Sequence, residues 1–277
     1  MVMFESSIVE SKTKWFLLSI CIITLFAYFP SLFVPYYLDD FLSIPNNPVF
    51  VDASFSSLFN VYGMRTIAYA SFYLNYLISP DNTLSFHVAN LAIHLINGFL
   101  IYKLYFVLCD YLKIPRNKLF IIVVVAMWLL HPFNTQAVTY IVQRLASLAA
   151  LFVLASLVAY FYWRTKQKSV WLIASIVFFV FALFTKQNAI FLPIFIFLCE
   201  LCFASDKIKN NLTKTALFSF MLFACVYPFI PEILQKIDLA TRESKAISRL
   251  DYFNTQLYIH WVYLQKFLLI KPLSLTV

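Results

Sequence analysis

Residues 84–109 read LSFHVANLAIHLINGFLIYKLYFVLC, an apolar run broken by one charge, Lys103. As a helix rising about 1.5 Å per residue, this run is long enough to cross the roughly 30 Å hydrocarbon core of a bilayer. It is not apolar all round. His87, Asn90, His94 and Asn97 recur at spacings of three, four and three, which puts all four on one helical face. Polar side chains inside a membrane face protein or water rather than lipid, so the stripe predicts a helix packed within a bundle. Two roles fit it: hydrogen bonds to neighbouring helices, or the lining of a polar cavity. Metal ligation needs a third ligand, and the sequence shows none beside His87 and His94.

The rest of the chain has the same character. Of 277 residues, 62% are hydrophobic and 12% charged, against about 45–50% and 25% in soluble domains. So much apolar surface excludes a soluble enzyme, a disordered chain and a disulfide scaffold. The expected fold is all-α, a polytopic transmembrane helical bundle of about eight spans. The spans are read at 15–34, 84–109, 119–133, 145–163, 169–184, 189–204, 215–231 and 257–270. The first follows Lys12 and Lys14 and runs into Pro35 with no small-residue cleavage site, the pattern of an uncleaved signal anchor. Cys199 and Cys202 form a CxxC inside a predicted span, which reads as packing rather than metal or redox chemistry. No repeat of solenoid length is visible.

The 21 basic residues divide by side. Lys12, Lys14, Lys103, Lys113, Arg116, Lys118, Arg164, Lys166, Lys168, Lys207, Lys209 and Lys214 fall on one side. Arg65, Arg144, Lys186, Lys236, Arg242, Lys245 and Arg249 fall on the other, and Lys266 and Lys271 lie in the last span. The richer side is cytoplasmic by the positive-inside rule, so the N-terminus is expected in the cytoplasm. The net charge of +8 then marks loops facing anionic lipid, and no nucleic-acid partner is expected. Pro35 to about Thr83, His131–Arg144, Thr185–Asn188 and Glu232 to about Gln256 become extracytoplasmic.

Those extracytoplasmic stretches hold the candidates for chemistry. Asp39 and Asp40 follow the first span directly. A carboxylate there can take a proton from a hydroxyl or hold a divalent cation, or it can be a solvated helix end. Residues 67–78 mix Tyr69, Tyr73, Asn75 and Tyr76 with apolar neighbours, which suits an interfacial helix, and Arg65 stands at its start as a phosphate ligand or headgroup anchor. In 129–147, Pro132 ends a span and Asn134 or Thr135 can cap the next helix. Gln136, Tyr140, Gln143 or Arg144, and Ser147 then share one face, either a site for an anionic lipid-linked group or a buried polar network. With Lys186 and Arg249, the bases Arg65 and Arg144 gather on one side with the two carboxylates, where an anion with an apolar tail would bind.

These segments resemble the bacterial relatives of the TMTC proteins, membrane proteins with tetratricopeptide repeats grouped with the protein O-mannosyltransferases among the GT-C glycosyltransferases. The resemblance is carried by Tyr37-Leu-Asp-Asp40 with Asn46-Asn-Pro48, Arg65-Thr-Ile, Leu74-Asn-Tyr76, Phe86-His-Val-Ala-Asn90 and His94-Leu-Ile-Asn97. It continues through the block His131–Arg144, Thr185-Lys-Gln-Asn-Ala189 and Ser248-Arg-Leu-Asp-Tyr252. It implies transfer of a sugar, with inversion, from a polyprenyl-phosphate donor to a Ser or Thr hydroxyl of an exported protein. The setting would be a multi-pass protein of the bacterial inner membrane with its site facing the periplasm.

By the same resemblance Asp39 and Asp40 are catalytic, Asp39 as general base. Arg65, Arg144, Lys186 and Arg249 would bind the donor phosphate. His131, Gln136, Tyr140, His87 and His94 would line the site. No metal is assigned, although a divalent cation could join the carboxylates. Relatives often carry Glu at the position of Gln136 and an acidic residue at that of Gln187, and they continue past Val277 with further spans and repeats. Residues 1–277 are therefore expected to be one GT-C-like domain, incomplete at its C-terminus. A second reading keeps the fold without the chemistry, as a lipid-binding or assembly subunit. A transporter would show matched Gly- or Pro-broken spans, which the sequence lacks.

Overall fold

The computed structural model describes residues 2–50, 55–80, 82–203 and 249–268, with isolated positions at 216, 220, 227, 230 and 231; side chains are described from Lys14. The predicted span at 215–231 and most of the loops on either side of it fall outside the described residues. Among the described residues every regular element is helical. The chain divides into two compact units, 1–192 and 193–277.

In the first unit, α1 (Val2–Tyr28) runs into a 3₁₀ turn, Phe29–Phe33, where Pro30 removes a backbone donor. Three short helices follow: α2 (Asp39–Ser43), α3 (Phe55–Tyr62) and α4 (Thr66–Ile78) form a layer over the start of α5 (Leu84–Leu112). The core of this layer is Ile44, Phe50, Leu58, Phe72, Phe86 and Ile141. Next come α6 (Lys118–Leu129), α7 (Thr135–Thr139), α8 (Arg144–Lys166) and α9 (Ser169–Leu183).

Pairings along the long helices fix their directions. Tyr28 meets His94, and the Val34 carbonyl accepts from His87, so α1 and α5 are antiparallel. His94 Nε2 donates to the Leu129 carbonyl while Tyr105 meets Phe120, so α6 returns along α5. Asn97 bonds to Ser147 and Tyr111 meets Phe161, so α8 runs parallel to α5. Phe152 meets Phe181, Ser156 bonds to Ser175 and Tyr162 stacks on Trp171, so α9 returns along α8. Gly98 permits the close approach of α5 and α6, because a Cβ there would sit 2.8 Å from Leu129 Cδ2.

Among the described residues, three stretches are long and apolar enough to cross a membrane: Lys14–Phe33, Leu84–Leu112 and Ile141–Lys166. The pair Lys118–Leu129 and Pro132–Thr139, bent by 47°, makes a fourth when taken as one broken span. The helix α9, and in the second unit the stretch leading through α10 (Leu192–Phe203), are apolar but shorter. The last described helix, α11 (Arg249–Leu268), has the length but is not among the helices apolar enough to span. Cys199 and Cys202 stand in α10 as free thiols.

One element departs from the expected pattern. A single helix was expected from Asn134 or Thr135 through Ser147, with Gln136, Tyr140, Arg144 and Ser147 on one face. Instead Tyr140 is extended (φ −81°, ψ 110°), and a 3₁₀ turn, Ile141–Gln143, separates α7 from α8. The groups that would continue the helix are taken elsewhere. The Val138 carbonyl accepts from Asn90 Nδ2 at 3.3 Å, and the Val142 N–H donates to Asp40 Oδ1 at 2.8 Å. Nor does Asn134 cap α7; its Nδ2 donates to the Trp128 carbonyl.

Candidate functional site

The acidic pair splits into two roles. Asp40 is 1% exposed. Its Oδ2 accepts the Tyr37 N–H at 3.2 Å and its Oδ1 the Val142 N–H at 2.8 Å. Burial holds its carboxyl above the ordinary value, opposed by these backbone bonds and reinforced by the charge of Asp39. Asp39 is exposed, and among the described residues it accepts no backbone N–H. Its own N–H donates to Tyr140 Oη at 3.1 Å, and the Tyr140 hydroxyl also meets the Asp39 side chain. Burial raises the Tyr140 phenol above its ordinary value, with both carboxylates adding to the rise.

The residue before the pair is strained. Leu38 has φ 45° and ψ −115°, a conformation that favours glycine. A branched side chain there costs about 1–3 kcal/mol, and such strain clusters at functional sites. The surrounding bonds hold it: Tyr37 packs edge-on against Tyr140, and Asp40 ties both Tyr37 and Val142. The result is an exposed carboxylate on a turn that the fold over-determines.

Two bases come together at the same end of the bundle. The Ile67 N–H donates to the Phe184 carbonyl at 3.0 Å, joining the start of α4 to the end of α9. This puts exposed Arg65 beside half-buried Lys186, and burial together with the Arg65 charge lowers the Lys186 ammonium from its ordinary value. Neither side chain has an ion-pair partner among the described residues. Because α9 runs antiparallel to α8, Lys186 lies level with the first turn of α8, which directly follows the 3₁₀ turn whose Val142 is bonded to Asp40. Acid and bases therefore share one end of the unit.

Arg144 stands elsewhere than expected for a phosphate ligand. It is 1% exposed, the largest fully buried side chain. Nε donates to Asn90 Oδ1 at 2.7 Å, Nη1 to Asn75 Oδ1 at 2.6 Å and the Ser71 carbonyl at 3.1 Å, and Nη2 to the Phe86 carbonyl at 2.8 Å. The guanidinium also lies over Phe72 and Phe86, 4.8 and 5.7 Å from their ring centres. Donors spent on these neutral acceptors are not offered to a ligand. Nor do His87 and His94 line an open site. Both are buried, donating to the carbonyls of Val34 and Leu129, and His94 stacks on Trp128. The polar stripe of α5 thus binds helix to helix, although His87 Nδ1 and Asn97 Oδ1 find no partner.

His131 caps the turn at Pro132–Asn134 by accepting the Phe133 N–H, and Gln136 is exposed on α7. The Arg249 side chain lies outside the described residues. A divalent cation finds no ligand set here. Both Asp40 oxygens are taken by backbone N–H groups, and no cluster of three His, Cys, Asp or Glu occurs among the described residues. The sequence reading missed the acceptors of Arg144, namely Ser71, Asn75 and Asn90, and the strain at Leu38. The first had a signal in the spacing of Ser71 and Asn75 on one face of α4; the second had none, because nothing local favours that conformation for leucine.

No family model, no curated protein and no solved structure matches the chain.

Proposed function

We propose that this protein is an inverting membrane glycosyltransferase that moves a sugar from a polyprenyl-phosphate donor to a Ser or Thr hydroxyl of an exported protein. The observation that carries the reading is an exposed carboxylate beside a strained residue, Asp39, at the same end of an apolar bundle as two adjacent bases, Arg65 and Lys186, whose side chains have no acidic partner among the described residues. Asp39 accepts the proton of the acceptor hydroxyl, whose oxygen attacks the anomeric carbon. The bond from that carbon to the phosphate oxygen breaks, and the polyprenyl phosphate leaves with the electron pair. Arg65 and Lys186 stabilise the charge that develops on the leaving phosphate. Arg249 is a further candidate ligand on the strength of the resemblance alone.

In this reading the chain is a GT-C-like bundle of about eight spans in a bacterial inner membrane. Its N-terminus is cytoplasmic and the Asp39 end faces the periplasm, as the bias of basic residues supports. The test is transfer by the purified protein in liposomes. The donors are a panel of radiolabelled polyprenyl-phosphate monosaccharides, and the acceptors are Ser- and Thr-bearing peptides. Transfer from one donor is expected, with the donor KM raised about tenfold or more by Arg65→Ala with Lys186→Ala, since each charged contact is worth about 1.5–3 kcal/mol. Failure of every donor, with the protein folded, would overturn the reading in favour of a lipid-binding subunit.

A further inference from the structure

The proposed chemistry leaves the buried charge of Arg144 unused, and two routes lead from it to the acidic pair. The first runs through Asn90. Its Oδ1 accepts from Arg144 Nε, and its Nδ2 donates to the carbonyls of Val138 and Ile141 at 3.3 and 3.4 Å. Those two carbonyls bracket Tyr140, whose hydroxyl accepts the Asp39 N–H. The second route is covalent. Arg144 follows the turn Ile141–Gln143 directly, and Val142 in that turn donates to Asp40. Asp39 and Asp40 are therefore both bonded to the seven-residue segment Val138–Arg144, whose two ends are fixed by Asn90 and by Arg144.

We infer that Arg144 is a positioning residue, which through Asn90 and the turn at Ile141–Gln143 holds Asp39 and Asp40 in their working arrangement. The inference rests on the glycosyltransferase reading for its catalytic part. The side chain suits the task. A guanidinium spreads its donors in a plane and so reaches acceptors on α4 and α5 together, while its faces take two rings. A lysine ammonium is a point charge with three donors and cannot span that set. The absence of a carboxylate among these partners also matters: the network fixes geometry without adding a negative charge that would repel an anionic donor.

The test uses Arg144→Lys and, because loss of a buried charge can prevent folding, the milder Asn90→Ala. Hydrogen exchange is read at the Val142 and Asp39 amides, with the amides around Ser156 in the middle of α8 as the fold control. Both variants are expected to speed exchange at Val142 and Asp39 by about tenfold or more with the Ser156 region unchanged. They are expected to lower kcat by up to about 10²-fold, as small misplacements of a base do, while the donor KM stays within about twofold. Unchanged exchange at Val142 in both variants would overturn the inference. Faster exchange with an unchanged kcat would also overturn it, because the seating would then have no bearing on transfer. A wild-type protein that transfers no sugar would sink the glycosyltransferase reading instead, and the exchange measurement would then decide the role of Arg144 by itself.

Discussion

Arg144, at the first turn of α8, and Arg116, in the turn between α5 and α6, stand at opposite ends of the first unit. Arg116 pairs with Asp110 and lies over the Phe106 ring, with 51% of its side chain exposed. Arg144 is buried, touches no carboxylate among the described residues, and is bonded to two asparagine side chains and two backbone carbonyls. By charge pairing alone Arg116 looks the better stabilised. The physical weights are the reverse. An exposed pair is screened by water and salt and is worth about 0–1 kcal/mol. A buried guanidinium that satisfies several otherwise unpaired acceptors cannot be removed without leaving those acceptors stranded. The two ends are thus built for different purposes, one rigid around the acidic pair and one solvated.

The largest effect that could break this contrast is at Arg144. Arg144→Ala is expected to destabilise the protein by about 3 kcal/mol or more, because it strands four neutral acceptors, each worth about 1–3 kcal/mol. Thermal unfolding in detergent reads it, and a loss under about 1 kcal/mol would place Arg144 with Arg116. Next comes Asp40. Its Ala variant leaves the Tyr37 and Val142 N–H groups unpaired, at about 1–3 kcal/mol each.

The pH dependence at Asp40 has a definite sign. A carboxyl raised above its ordinary 3.8 favours the protonated form in the folded state. Its contribution is full below that value and is lost as the pH rises through the raised one. The melting temperature of the wild type relative to Asp40→Asn, which does not titrate, should therefore fall as the pH climbs from about 4. Parallel profiles for the two proteins would show that burial of Asp40 is not felt.

Midway along the bundle, Ser156 and Ser175 exchange hydroxyl-to-carbonyl bonds at 2.8 and 3.0 Å between α8 and α9. Ser156→Ala is expected to cost about 0.6–1.7 kcal/mol, the measured range for interhelical bonds in membranes. Arg116→Ala should be smallest, within about 1 kcal/mol and shrinking further as salt is added. An Arg116 effect equal to that of Ser156 at high salt would mean that the solvated end is more rigid than its exposure implies.

Much of this arrangement was legible in the chain. The three-four-three spacing of His87, Asn90, His94 and Asn97 predicted a buried stripe on one helix, because helical period alone decides which side chains share a face. The acidic pair, and Arg65 and Lys186 as bases expected on its side, were likewise visible as charges standing beside apolar runs, but that these two bases are neighbours was not. What could not be read was the break at Tyr140. Local sequence supports a continuous helix there, and the competing partners, Asn90 and Asp40, lie about fifty and a hundred residues away. For the same reason Arg144 looked like an outward-facing base. Its acceptors on α4 and α5 belong to elements whose packing no local spacing encodes.

The claim that most depends on this geometry is that Asp39, and not its buried neighbour, takes the proton. It is tested most directly by single-turnover transfer from polyprenyl-phosphate sugar with Asp39→Asn, donor binding being measured on the same preparation. Transfer should fall by about 10²–10⁴-fold, the usual contribution of a positioned base, while donor affinity stays within a few-fold of the wild type. Transfer at the native rate by Asp39→Asn would contradict the assignment and, with it, the site built around the strained turn at Leu38.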